Sequence, residues 1–225
     1  NTECRTQPGA ITATILTVYN HTAGSVVLDK NNSLTSVGIE NTGRDITLTN
    51  TIATEIFAYG IVGDTVVINS ANGLTQSGVI EATSLDVLNS AGDVTLDENN
   101  VVDNVEIDNA TRAVAFTNTV AADITSGGIT GGAIALNSAG LTQTGVISGT
   151  SLDIANSGGV VTLDENNADS NVEIDNATRA VAFTNTTAAD ITSGGITGSA
   201  IVLNSAGLTQ TGVISGTSLD ITNSA

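Results

Sequence analysis

The sequence predicts an all-β protein, a parallel β-helix (β-solenoid) built from ~67-residue repeats of about three coils each. Three observations carry that expectation. Residues 78–144 recur at 145–211 with only 12 differences. Within the repeat, apolar and polar residues alternate in short runs, as they do in strands with one buried face. Those runs begin at positions 85, 94, 105, 114, 124 and 134, a step close to ten residues. Two steps make about 20 residues, the length of one coil in solenoid repeats. The repeat makes residues 1–225 one continuous solenoid, with copies at 9–77, 78–144 and 145–211 and a partial copy at 212–225. An antiparallel sandwich array is the alternative, but 67 residues is short for a sandwich domain of roughly 100.

The expected interior is an apolar ladder. In the central copy it comprises Leu85, Val94, Leu96, Val105, Ile107, Val114, Phe116, Ile124, Ile134 and Leu136. In the next copy it comprises Val161, Leu163, Val172, Ile174, Val181, Phe183, Ile191, Ile201 and Leu203. Val87 joins the ladder and becomes Ile154. The divergent first copy keeps the skeleton in Ile11, Leu16, Val18, Val26, Leu28, Val37, Ile39, Ile46, Leu48, Ile56, Val66 and Ile68. Positions that differ between copies, such as Glu81/Ser148, Leu88/Ala155, Asp93/Val160, Val102/Asp169, Asp103/Ser170 and Val120/Thr187, often exchange apolar for polar. A packed interior resists such exchanges, so these positions are expected outside or in turns. Asn89 and Asn109 are 20 apart, and Asn118 and Asn137 are 19 apart. Asparagines at equivalent turns are expected to stack into amide ladders.

Composition narrows the function. Hydrophobics make up 40% of the chain, enough for a core, but aromatics only 2%. A narrow interior filled by Leu and β-branched residues fits that balance, and abundant Gly, Asn, Ser and Thr suit frequent turns. Net charge is −18, with Arg5, Lys30, Arg44, Arg112 and Arg179 as the basic residues. No basic patch exists to hold nucleic acid, and anionic membranes are disfavoured for the same reason. The charge keeps a rod soluble. Cys4 stands alone, so no disulfide framework is expected within the chain, and its thiol reads as incidental or as a link between subunits. No stretch approaches the ~20 apolar residues of a membrane span, and no signal peptide is evident. The first residue is not Met, which suggests processing or a window on a longer chain. About ten or eleven coils, stacked about 4.8 Å apart, would make a rod on the order of 50 Å long.

The ends carry their own expectations. Residues 1–8, NTECRTQP, align with the SANGLTQS before the second copy and are more polar, as a cap should be. Residues 212–225 begin another copy and stop inside it. An uncapped rung offers unpaired N–H and C=O groups, which suggests a longer chain or head-to-tail docking of subunits into open filaments.

No catalytic constellation is visible. The acidic segments 94–100 and 161–167 present Asp97, Glu98, Asp164 and Glu165 as weak calcium candidates, with Asn99, Asn100, Asp103 and Asp108 as possible additional ligands. EF-hand spacing is absent, and the glycine-rich run 126–132 only faintly resembles a calcium-binding β-roll. A solvated acidic turn is the bland alternative, and no other cofactor is expected. Arg112 and Arg179 follow identical Asp-Asn-Ala-Thr stretches. They are expected to form surface ion pairs with Asp108 and Asp175 worth under about 1 kcal/mol; a clamp for a sugar carboxylate is the functional alternative. His21 has no ligand-spaced partner and reads as a turn residue. Carboxylates that recur in every repeat argue for structure rather than a glycosidase pair. Sequons at Asn20, Asn31, Asn109, Asn176 and Asn185 are expected by chance in so Asn- and Thr-rich a chain.

The strings GLTQTGVISGTSLDIANSGGVVTL and GAIALNSAGLTQTG resemble the repeat regions of filamentous-haemagglutinin-type bacterial adhesins and exoproteins. The resemblance spans the three copies. It implies a right-handed parallel β-helix, export to the cell surface or medium of a bacterium, and a role as shaft, adhesin or matrix fibre. The family's amino-terminal secretion domain is absent, and no functional residues carry over. The expected function is therefore a non-enzymatic extracellular structural protein that contributes to a filament and has itself as partner. The alternative is an adhesin shaft binding a glycan or host receptor through its outward polar faces.

Overall fold

The structure, a computed structural model, describes residues 5–156, 158–176 and 178–223; the side chains of Arg5 and Thr6 lie outside that description. Cys4 also lies outside it. The fold is an all-β solenoid of about ten turns, with 72% of the described residues in strands. Among the described residues no helix is long and apolar enough to cross a membrane.

Sequence alternation makes the strands. In Val94–Asp108, Val94 and Leu96 point inward and are buried, while Thr95 between them is half-exposed and Asp97 exposed. The pairings are parallel and in register, so like residues stack: Val94 on Val114, then Ile134, Leu152, Val172 and Ile191. Every ladder residue named for the second and third copies is buried, from Leu85 to Leu203. Ile11, Leu16 and Val18 are only partly buried. Leu16 and Val18 lie in the strand Thr12–Tyr19 and Ile11 just before it; among the described residues this strand pairs with one neighbour, Val26–Glu40, and is covered from that side.

Each coil has two halves, and the halves form two separate stacks. One stack runs Val26, Ile46, Val66, Leu85, Val105, Ile124; the other runs Thr54, Leu74, Val94, Val114, Ile134, Leu152. Each 67-residue copy spans about three coils, and the finer count matters. Three coils carry Leu85 through Val105 and Ile124 to Gln143, 58 residues on. The remaining nine of the 67 residues are half a coil. Leu152, the repeat equivalent of Leu85, therefore sits in the other stack, on Ile134. A copy is seven half-turns, and because seven is odd, successive copies are rotated half a turn about the rod.

The corners are held by buried amides. Asn50, Asn118 and Asn185 each accept from and donate to one backbone residue of the preceding coil, Leu34, Val102 and Asp169, at 2.8–2.9 Å. Gln76 and Asn100 exchange two amide hydrogen bonds, as do Gln143 with Asn167 and Gln7 with Asn32. Asn100 also accepts from Ile80 N and donates to Leu96 O and Thr117 O. Asn100→Ala would strand this buried set, so a loss on the order of 3 kcal/mol is expected, read as a lower Tm. An unchanged Tm would show the amide pair to be dispensable.

The asparagine-ladder expectation divides in two. Asn89 donates to Asn109 at 2.5 Å, and Asn20 donates to Asn41 at 2.7 Å. Asn118 and Asn137 do not stack: Asn118 is buried on Val102, whereas Asn137 is exposed. The positions that differ between copies also need correction. Leu88, Asp93, Asp103 and Val160 are exposed as expected, but Val102 and Asp169 are both fully buried. A buried carboxylate has replaced a buried valine.

Candidate functional site

The outward faces carry a recurring polar column built from three consecutive rungs of one stack. In the second copy, Asp86 lies beside Glu106, and Glu106 Oε1 accepts from Thr125 Oγ1 at 2.7 Å and Gly127 N at 2.9 Å. In the third copy, Glu173 Oε1 accepts from Thr192 Oγ1 at 2.5 Å and Gly194 N at 2.8 Å, with Asp153 beside it. The Thr192 and Gly194 bonds pull Glu173 below its ordinary pKa. Partial burial, then the charge of the glutamate on the next rung, raises Asp86 and Asp153. A Cβ at Gly127 would lie 2.4 Å from Glu106 Oε2, so a side chain there would push the carboxylate out of its place in the column. Gly128 follows with φ +75°, and its Cβ would meet Val146 O at 2.1 Å. The bulge at this rung is thus written into the Gly-Gly pair. These columns join coil to coil, and they stand on opposite stacks in the two copies.

The calcium candidates do not assemble. Asp97, Glu98, Asp164 and Glu165 are exposed at corners of the long strands Val94–Asp108 and Val161–Asp175. Asn100 and Asn167 turn inward to their glutamine partners, and Asp108 accepts from Thr130 Oγ1 at 2.6 Å. Among the described residues no three His, Cys, Asp or Glu side chains stand close enough to hold a metal ion. The Arg112–Asp108 ion pair is also not formed; the ion pair among the described residues is Lys30–Asp29 at 3.1 Å. Asp175, like Asp108, accepts from a threonine on the next coil, Thr197. His21 lies in the turn after Thr12–Tyr19 and stacks on Tyr19. Of the sequon asparagines, Asn31 is exposed, while Asn20, Asn109, Asn176 and Asn185 are buried.

Two features escaped the sequence reading. The first is the corner at Asp169. Its side chain is fully buried, and neither carboxylate oxygen has a hydrogen-bond partner. Burial pushes its pKa up to about 7, and the neighbouring Gly149 N–H offsets that only in part, short of a formed hydrogen bond. Asp169 pairs with Gly149, as Val102 pairs with Ala82. The exchanges Val102/Asp169 and Ala82/Gly149 therefore stack on each other, and the lost methyl makes room for the acid. Thr187, which replaces Val120, donates to Asp169 O at 3.2 Å. Differences 20 residues apart are one coil apart, which is the signal that links them in the sequence. The second feature is a group of aromatic side chains in the first copy, where the column's Glu106, Thr125 and Gly127 are replaced by Gly38, Phe57 and Tyr59.

Comparison with known proteins adds no neighbour: no family model, curated protein or solved structure matches this chain.

Proposed function

We propose that the chain is an extracellular structural protein of a bacterial surface or matrix, which forms or contributes to a fibre by stacking solenoid coils and by head-to-tail self-association. The observation that carries this reading is the continuity of pairing across copy boundaries. Leu74 of the first copy stacks on Val94 of the second, and Leu141 of the second on Val161 of the third. Rungs of different copies join by the same backbone bonds as rungs within one, and a rung of another chain can use the same bonds. Carboxylates held by threonines of the next coil support a structural rather than a catalytic role. The resemblance to adhesin and exoprotein repeats supports the extracellular setting.

Negative-stain electron microscopy of the purified protein, with and without EDTA, tests the reading. Uniform filaments much longer than one chain are expected, and filaments lost in EDTA would make the acidic corners cation bridges between chains. Dispersed short rods at high concentration would remove self-association. A second reading, an adhesin shaft that meets a receptor or glycan, is favoured by the exposed aromatic group of the first copy. Saturable binding by a dispersed monomer would support it.

A further inference from the structure

The chain has five aromatic side chains besides its single histidine. Phe116 and Phe183 are core residues. The other three, Tyr19, Phe57 and Tyr59, gather on one patch of the first copy. Tyr59 is 68% exposed and Tyr19 51%. The Tyr19 and Tyr59 rings stand 6.2 Å apart at 86°, and Phe57 and Tyr59 5.3 Å apart at 84°. His21 flanks Tyr19 at 6.3 Å. Elsewhere in the chain the equivalent positions hold Leu88 and Ala155, Thr125 and Thr192, and Gly127 and Gly194.

The patch is built by coordinated changes. Where the other copies place Glu106 and Glu173, the first places Gly38. A Cβ at Gly38 would lie 2.9 Å from the Phe57 ring and 3.1 Å from Tyr59 Cβ, so the aromatic pair needs the glycine beneath it. A cleft of about 50 Å³ opens there, lined by Thr17, Tyr19, Gly38, Glu40, Tyr59 and Val62. Glu40 pairs directly with Tyr19 on the adjacent rung, which places an acid at the rim of the rings.

We propose that this aromatic corner binds an organic cation of the quaternary-ammonium class, with Tyr19 and Tyr59 as ring faces, Phe57 packed against Tyr59 to hold it in place, and Glu40 as counter-charge. Ring faces are electron-rich and attract a soft cation, more strongly when it is partly desolvated. A chain of net charge −18 draws cations and repels anions. The ring arrangement distinguishes this ligand from a sugar. A pyranose lies flat on one ring, whereas two rings at near right angles offer a compact cation two faces at once. Choline binding is read on the dispersed monomer, so its test stands apart from that of filament formation.

The chain has no Trp, and its two tyrosines are Tyr19 and Tyr59, so its tyrosine emission reports this site alone. Choline titrated into the full chain is expected to change that emission saturably. Its uncharged carbon isostere, 3,3-dimethylbutan-1-ol, should bind at least tenfold more weakly. Glu40→Gln and Phe57→Leu should each weaken choline binding several-fold with unchanged circular dichroism. Gly38→Ala, which pushes on the Phe57 ring, should do the same by a second route. Equal binding of choline and the isostere, or no saturable response to choline, overturns the proposal. So does a response to glucose alone, or binding to phosphatidylcholine vesicles without any response to free choline.

Discussion

Replacing Asp169 by valine is expected to stabilise the third copy, and the gain should grow by about 4 kcal/mol between pH 4 and pH 7. Asp169 titrates at about 7 when folded, against an ordinary value of 3.8. About three pH units at 1.36 kcal/mol each give that figure. The sign follows from which state holds the proton. Below pH 4 both states are protonated, and the group adds no pH dependence. From pH 4 to pH 7 the unfolded chain is ionised while the folded chain keeps its proton, so stability falls as pH rises. Above pH 7 the full cost of a buried carboxylate remains. The raised pKa values of Asp86 and Asp153 act in the same direction, but they are present in both proteins and cancel in the comparison. Solenoid units unfold partly independently, so hydrogen exchange of amides in Val161–Asp175 at pH 4.5 and pH 8 is a suitable readout. A difference between variant and parent that does not change with pH would refute a buried, ionisable Asp169.

Ile107→Asp is expected to destabilise the second copy by roughly 5 kcal/mol. Ile107 is 1% exposed, between Val87 on the coil before and Ile129 on the coil after. The substitution removes a core aliphatic side chain, which costs about 2–5 kcal/mol. It also buries a carboxyl group without a partner, which costs further whether the acid ionises or takes up a proton. Asp169 is no precedent for tolerance, because its paired neighbour is Gly149, whereas the neighbours of Ile107 keep their full side chains. Thermal melting followed by circular dichroism checks this, and an unchanged Tm would take Ile107 out of the interior.

The contrast between these sites shows what the sequence made legible. The apolar ladder could be read because inward residues repeat with period two, and stacking forces the same residue type onto each rung. Asn89 and Asn109 could be read because both occupy the same phase at a corner. Asn118 and Asn137 looked alike by spacing, but their phases differ: Asn118 lies two residues beyond inward Phe116, and Asn137 one beyond inward Leu136. Ser138 is the inward residue on that rung, and it bonds Val120 O. Asp169 misled because a polar residue in a variable position reads as outward. The phase of Val102 and the matching change of Ala82 to Gly149 mark it as inward. The Glu106 column was not legible, because it depends on a bulge that brings Gly127 N back over a carboxylate on the rung before.

The odd number of half-turns per copy has a consequence for how such a chain lengthens. Duplicating a segment of whole coils would stack every copy in one orientation. Duplicating seven half-turns exchanges front and back each time, and the interior accepts this because Leu85 in one stack and Leu152 in the other fill equivalent places. The repeat length is therefore set in half-turns of about ten residues, half the length of a coil, rather than in whole coils. Any mark carried once per copy then alternates sides along the rod, as the Glu106 and Glu173 columns do.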